Sequence, residues 1–126
     1  MLLKKIILRN SDPFEASIEN WARQNKVDVA VFDGKESLFE LCQSLVIIHA
    51  DHNISKENKE LRSQMEKNHK PTQEIDINGT MNASISSLKF WLENNDPENV
   101  LMVGDDKLVE TPRYQDYMSE LAKQLG

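Results

Sequence analysis

His49, Asp51, His52, Asn53 and Ser55 lie within seven residues of one another, directly after an unbroken apolar run, Leu45-Val46-Ile47-Ile48. Imidazoles can carry protons near neutral pH or ligate metals. Carboxylates, amides and hydroxyls supply the remaining polar contacts of a binding site. Smaller polar groups follow two other apolar runs: Asn10-Ser11-Asp12 after Ile6-Ile7-Leu8, and Gly104-Asp105-Asp106 after Val100-Leu101-Met102-Val103. Much of this polarity has a plain structural use, because side chains at strand ends cap helices and close turns. Asp12, Asp33, Ser55 and Thr80 are read first in that way. Two histidines and one carboxylate also fall short of the four ligands of a structural metal site, so no metal is assigned and His49 is read as a core histidine. Cys42 has the spacing of a core residue rather than a nucleophile.

A run that is apolar at every position is buried on both faces, as in a parallel sheet. Such runs alternate here with helical patterns. Ile6-Ile7-Leu8 leads to Asp12, an N-cap, and Pro13, a first helical residue. Phe14, Ile18, Trp21 and Ala22 then share one helix face. Val27–Phe32 is the second strand, and Asp33-Gly34 closes it before a short helix. The third strand is followed by a helix capped by Ser55, covering about 56–69 and exposed on most of its surface, with Arg62 and Glu66 as an ion pair. Gln73–Ile77 alternates and so suits an edge. Met81, Ile85, Leu88 and Leu92 define the fourth helix. Thr111-Pro112 opens the last helix, with Tyr114, Tyr117, Met118, Leu121 and Leu125 facing the core.

Five strands alternating with five helices predict one α/β domain over 1–126. The expected fold is a three-layer αβα sandwich, Rossmann-like or flavodoxin-like, on a five-stranded parallel sheet of order 2-1-3-4-5. In such a sheet ligands bind beyond the carboxyl ends of the strands, where the winding direction reverses. For this order the reversal falls between strands 1 and 3. The expected ligand-binding set is therefore Asn10, Ser11, Asp51, His52, Asn53, Ser55, Gly104 and Asp105, with no catalytic residue and no metal ligand among them.

Composition narrows the function. The net charge of −6 opposes a nucleic-acid or anionic-membrane surface. No apolar stretch is long enough to span a bilayer. A lone cysteine, Cys42, permits no intrachain disulfide, which fits a reducing cytoplasm. Neither GxGxxG nor GxxxxGK[ST] occurs, so the cofactor is left unassigned. The partner expected is a small-molecule or nucleotide-like ligand, and the oligomeric state is not assigned.

Two stretches resemble the molybdenum-cofactor carrier family, within the Rossmann-like group that includes DprA and the lysine-decarboxylase-like phosphoribohydrolases. Ile6-Ile7 through Trp21-Ala22 keeps the spacing of that family's first strand and helix. Val100–Gly104 followed by Pro112 and Tyr114 is similar to its last strand and helix start. His69-Lys70-Pro71 is similar to its His-Gly-Lys-Pro. The family's glycine-rich first loop is replaced here by Arg9-Asn10-Ser11-Asp12-Pro13. The resemblance implies a shortened Rossmann-like domain that binds a phosphorylated small molecule. Two other readings compete. Asp51, Thr80 and Lys107 resemble the layout of a response-regulator receiver, with Asp51 as phospho-acceptor and Asp12 or Asp105 near magnesium. A phosphoribohydrolase would need a general acid or base and a gripped phosphate. The preferred expectation is a non-catalytic domain binding a small ligand or a protein partner.

Overall fold

The computed structural model describes residues 2–9, 12–32, 34 and 37–125. Five strands, β1 (Lys5–Leu8), β2 (Asp28–Val31), β3 (Leu45–His49), β4 (Thr72–Asp76) and β5 (Val100–Gly104), alternate with five helices. The helices are α1 (Pro13–Gln24), the single turn α2 (Leu38–Leu41), α3 (Lys56–Lys67), α4 (Met81–Asn95) and α5 (Pro112–Leu125). A 3-10 turn, Asp106–Glu110, precedes α5. All strand pairs are parallel, and the expected α/β class with a five-stranded parallel sheet is the one found.

The strand order differs from the expected 2-1-3-4-5. It is β2-β1-β5-β3-β4, with β5 inserted between β1 and β3. Ile6 and Ile7 pair with Val100 and Leu101, and Leu45 through Ile48 pair with Leu101 through Gly104. The expected order assumed that strands adjacent in sequence also pair, a common tendency rather than a rule. Burial explains the departure. Both faces of β3 and of β5 are covered, whereas Ile75 is the only fully buried residue of β4. The two unbroken apolar runs therefore sit side by side, and the alternating strand goes to the edge. To return from that edge the chain must cross β3, which α4 does with a 15-residue span, about 22 Å long.

The period of two along each strand divides the core in two. Ile6, Leu8, Val46, Ile48, Val100 and Met102 meet α1, α4 and α5 on one face. Ile7, Leu45, Ile47, Leu101 and Val103 meet Cys42, Leu61 and Met65 on the other. The apolar stripe of each helix is the one its sequence spacing predicts. Tyr114 and Tyr117 are core residues whose hydroxyls meet Ser17 and Ser84 at 3.0 and 2.9 Å. Trp21 donates its indole N–H to the Met118 carbonyl at 2.8 Å. Arg62 differs from expectation: its ion pair is with Glu74 on β4, not with Glu66 one turn along α3.

Gly104 fastens α1 to the sheet. A Cβ at this position would lie 2.6 Å from the Phe14 ring and 3.0 Å from the Ile48 carbonyl oxygen. The missing side chain lets the ring, fully buried, close against the end of β5. Gly104→Ala should lower unfolding stability by about 1–3 kcal/mol through overpacking. The loss should shrink when Phe14 is also cut to Leu. Urea denaturation of the two single variants and the double variant measures that coupling.

Candidate functional site

The inserted strand moves the crevice. The chain leaves β5 through the 3-10 turn toward the α1/α4/α5 layer, and leaves β3 toward α3 on the opposite layer. The winding direction therefore reverses between β3 and β5, not between strands 1 and 3. A cavity of about 450 Å³ opens there. Ala50, Ile54 and Leu108 form its apolar part. Asn53, Ser55, Asp105, Lys107 and Thr111 supply its polar groups.

Local chemistry builds each wall. The Asn53 N–H donates to the Ala50 carbonyl at 3.0 Å and closes the turn after β3. Ser55 Oγ accepts the Asn58 N–H at 3.1 Å and so starts α3. Asp105 Oδ1 accepts the Lys107 N–H at 3.0 Å and holds the 3-10 turn. Thr111 Oγ1 donates to the Leu108 carbonyl at 2.8 Å and accepts the Tyr114 N–H at 3.3 Å. The hydroxyls and the carboxylate are thus committed to shaping the cavity wall. The exposed Lys107 is the cationic member of the lining.

Of the eight residues expected to bind ligand, Asn53, Ser55 and Asp105 come together in this cavity. Gly104 is given over to the Phe14 contact. Asp51 and His52 lie on the β4 side of β3. The Asp51 N–H donates to Asp76 Oδ1 at 3.1 Å, and Asp51 Oδ2 accepts the Asn78 amide at 2.9 Å. The His52 ring stacks on His49 with centroids 5.1 Å apart. Asn10 and Ser11 lie outside the described residues, as does Asp33. Lys107 was legible only as part of the receiver-like layout, and Thr111 only as a helix start. Nothing local in the sequence joins them to Asn53, because the β3–β5 pairing does so.

Glu15 is a buried carboxyl in the first turn of α1. It is 1% exposed. Its Oε1 accepts the Arg9 N–H at 2.5 Å, while Oε2 and the buried Arg9 Nε have no hydrogen-bond partner among the described residues. The Arg9 guanidinium reaches on to Glu57 Oε1 at 3.1 Å and Asn58 Oδ1 at 3.3 Å, tying the end of β1 to the start of α3. Around it, α1 satisfies its own first turn. Pro13 has no N–H, the Phe14 N–H donates to Asp106 Oδ1 at 3.2 Å, and the Glu15 N–H donates to Asp12 Oδ1 at 2.8 Å. The amides that hold a phosphate after the first strand of many α/β folds are here turned to the chain's own carboxylates.

Burial lowers the pKa of His49, with His52 and Arg62 acting the same way against Asp76 and Asp51. Its Nδ1 accepts the His52 N–H at 3.1 Å, which puts the proton of the neutral ring on Nε2. Burial pushes the Cys42 thiol up to about 11, so the thiolate needed for nucleophilic chemistry is not formed near neutral pH. His49, His52 and Glu74 present potential metal-ligating atoms within 4.8 Å of one another. The sequence pattern pairs the two histidines but leaves out Glu74, which arrives from the neighbouring strand.

A parallel sheet wound in opposite directions from its centre, with a crevice beyond the strand tips, defines a doubly wound α/β domain of the Rossmann-like, flavodoxin-like class. Among the described residues no helix is long and apolar enough to cross a membrane. Comparison with family models, curated proteins and solved structures gives no match.

The Glu15 carboxyl has a direct thermodynamic consequence. Burial first, and then Asp12, raise its pKa from 4.5 to about 7, against the lowering effect of the Arg9 N–H and guanidinium. The folded state therefore holds this proton more tightly than the unfolded chain. The resulting stabilisation is present below pH 4.5 and is lost as the pH rises through 7. Glu15→Gln should remove that decline, leaving a difference in pH dependence of about 1–3 kcal/mol across this range. Paired denaturant titrations of the two proteins at pH 5 and pH 8 read it, and parallel pH profiles would reject the assignment.

Proposed function

We propose that this chain is a non-catalytic binding domain whose β3–β5 crevice takes a small polar ligand bearing an anionic, phosphate-like group. The observation that carries the reading is the crevice itself. It lies where ligands bind in doubly wound sheets and combines an apolar floor with Asn53, Lys107 and the start of α3 at Ser55. The first turn of a 12-residue helix and a nearby ammonium group both favour negative charge. Asn53 adds an amide that can donate and accept.

Absence of catalysis is inferred from what the polar groups already do. Ser55, Asp105 and Thr111 each spend a hydrogen bond on capping, which gives them a positioning role rather than that of nucleophile or base. The resemblance to the molybdenum-cofactor carrier group supports the same ligand class, a phosphorylated small molecule. The self-capped start of α1 moves the proposed anion position from the first strand to α3. The receiver reading finds less support. Asp51 is hydrogen-bonded on the β4 side, Asp105 accepts the Lys107 N–H in the 3-10 turn, Asp12 caps α1, and β5 separates the strands of Asp51 and Asp12, about 10 Å apart axis to axis.

A thermal-shift screen of nucleotides, sugar phosphates and pterins tests the proposal. A ligand present at about 100 times its Kd should add about 2.7 kcal/mol to stability. Lys107→Glu, an exposed change with little expected effect on folding, should abolish the shift. No shift with any of these compounds, or a shift that Lys107→Glu leaves intact, would reject the crevice as the binding site.

A further inference from the structure

Beyond the crevice, on the other side of β3, three side chains from two strands converge. His49 ends β3, His52 follows it after a tight turn, and Glu74 lies on β4. Parallel pairing sets Glu74 opposite Ile47 and Asp76 opposite His49. Side chains two apart on a strand share a face, so His49 and Glu74 both project toward the α3 layer. The turn between the histidines is unusual. Asp51 and His52 are consecutive non-glycine residues with φ of 53° and 64°. This left-handed pair curls the chain back and sets the His52 ring over His49. The Asp51 N–H on Asp76 and the Asn78 amide on Asp51 hold the turn.

We propose that His49, His52 and Glu74 form a binding site for a divalent transition-metal ion of the Zn²⁺ type. Their ligand atoms lie within 4.8 Å of one another, close enough to converge on one ion with small side-chain rotations. Two imidazoles and one carboxylate are an established donor set for Zn²⁺, with water in the fourth position. Oxygen-preferring ions such as Mg²⁺ and Ca²⁺ fit it poorly. His49 is buried, Glu74 partly buried and His52 exposed, so one wall of the site is rigid and the other is open for entry.

Two existing contacts define what binding must rearrange. His49 Nδ1 accepts the His52 N–H, and an ion taking that lone pair replaces one hydrogen bond. Glu74 Oε1 pairs with Arg62, which leaves Oε2 to ligate while Arg62 holds the carboxylate in place. Such outer partners commonly orient metal ligands. This site is separate from the β3–β5 crevice and does not depend on the proposed small-molecule ligand.

Calorimetric titration of the chelator-treated 126-residue chain with Zn²⁺ tests the proposal. It should show one ion per chain, with the imidazole proton signals of His49 and His52 shifting on binding. His52→Asn keeps a residue that tolerates the left-handed turn, and Glu74→Gln keeps an acceptor for Arg62. Each should weaken binding about tenfold or more. His69→Ala, which removes the remaining histidine, should leave binding unchanged. No uptake by the intact chain, or uptake that either His52→Asn or Glu74→Gln leaves unaltered, overturns the site.

Discussion

The placement of β5 between β1 and β3 is the constraint from which the rest of the architecture follows. Two neighbouring strands, each apolar on both faces, give the sheet a centre that must be covered on both sides. That requirement fixes α1, α4 and α5 on one layer and α3 on the other. It sends α4 across β3 and leaves β4 at the edge with one wet face. It also decides where the chain diverges, and hence where a crevice can open. A sheet with β1 beside β3 would have put the loop after β1 into the binding site. With β5 between them, Arg9 and Asp12 are drawn into structural work at the start of α1.

The polar groups at the strand ends divide according to this geometry. Asp12, Asp106 and Glu15 engage the start of α1 and the N–H of Arg9, so the β1 end of the sheet is closed by the chain's own carboxylates. The cost is visible in Glu15, a carboxyl buried with one oxygen unpartnered among the described residues. A buried polar atom without a partner is destabilising, and here it accompanies the Arg9 link between β1 and α3. The β3 end stays open on two sides. Toward β5 it forms the crevice lined by Asn53 and Lys107. Toward β4 it forms the histidine and glutamate cluster. One turn, Ala50–Ile54, serves both, because the left-handed residues Asp51 and His52 direct side chains away from the crevice while Asn53 and Ile54 return to it.

Several site residues were legible before the fold was known because their signals are local. Ser55 and Asp12 carry the chemistry of helix caps and perform it. Asn53 and Asp105 follow apolar runs and do line the crevice. Gly104 was legible as a strand-end member of the expected ligand set. A strand-terminal glycine suggests close approach by a ligand, and the group that approaches is the Phe14 ring. Asp51 and His52 turn toward β4 rather than into the cavity, and their left-handed backbone angles are not encoded in any glycine or asparagine at those positions. Glu15 is buried where Arg9 meets it, a contact that nothing in its own helix shows.

The sequence by itself determined where each strand and helix runs, which face of each is apolar, and which residues begin the helices. Those properties depend on neighbours within a few positions, where side-chain periodicity and capping chemistry act directly. Tertiary structure decided the order of the strands, and with it the crevice position, the meeting of Lys107 with Asn53 and the arrival of Glu74 beside two histidines. These depend on which of several similar apolar strands pair. Such pairing is settled by total burial and by the reach of the connecting helices, quantities that no short stretch of the chain contains.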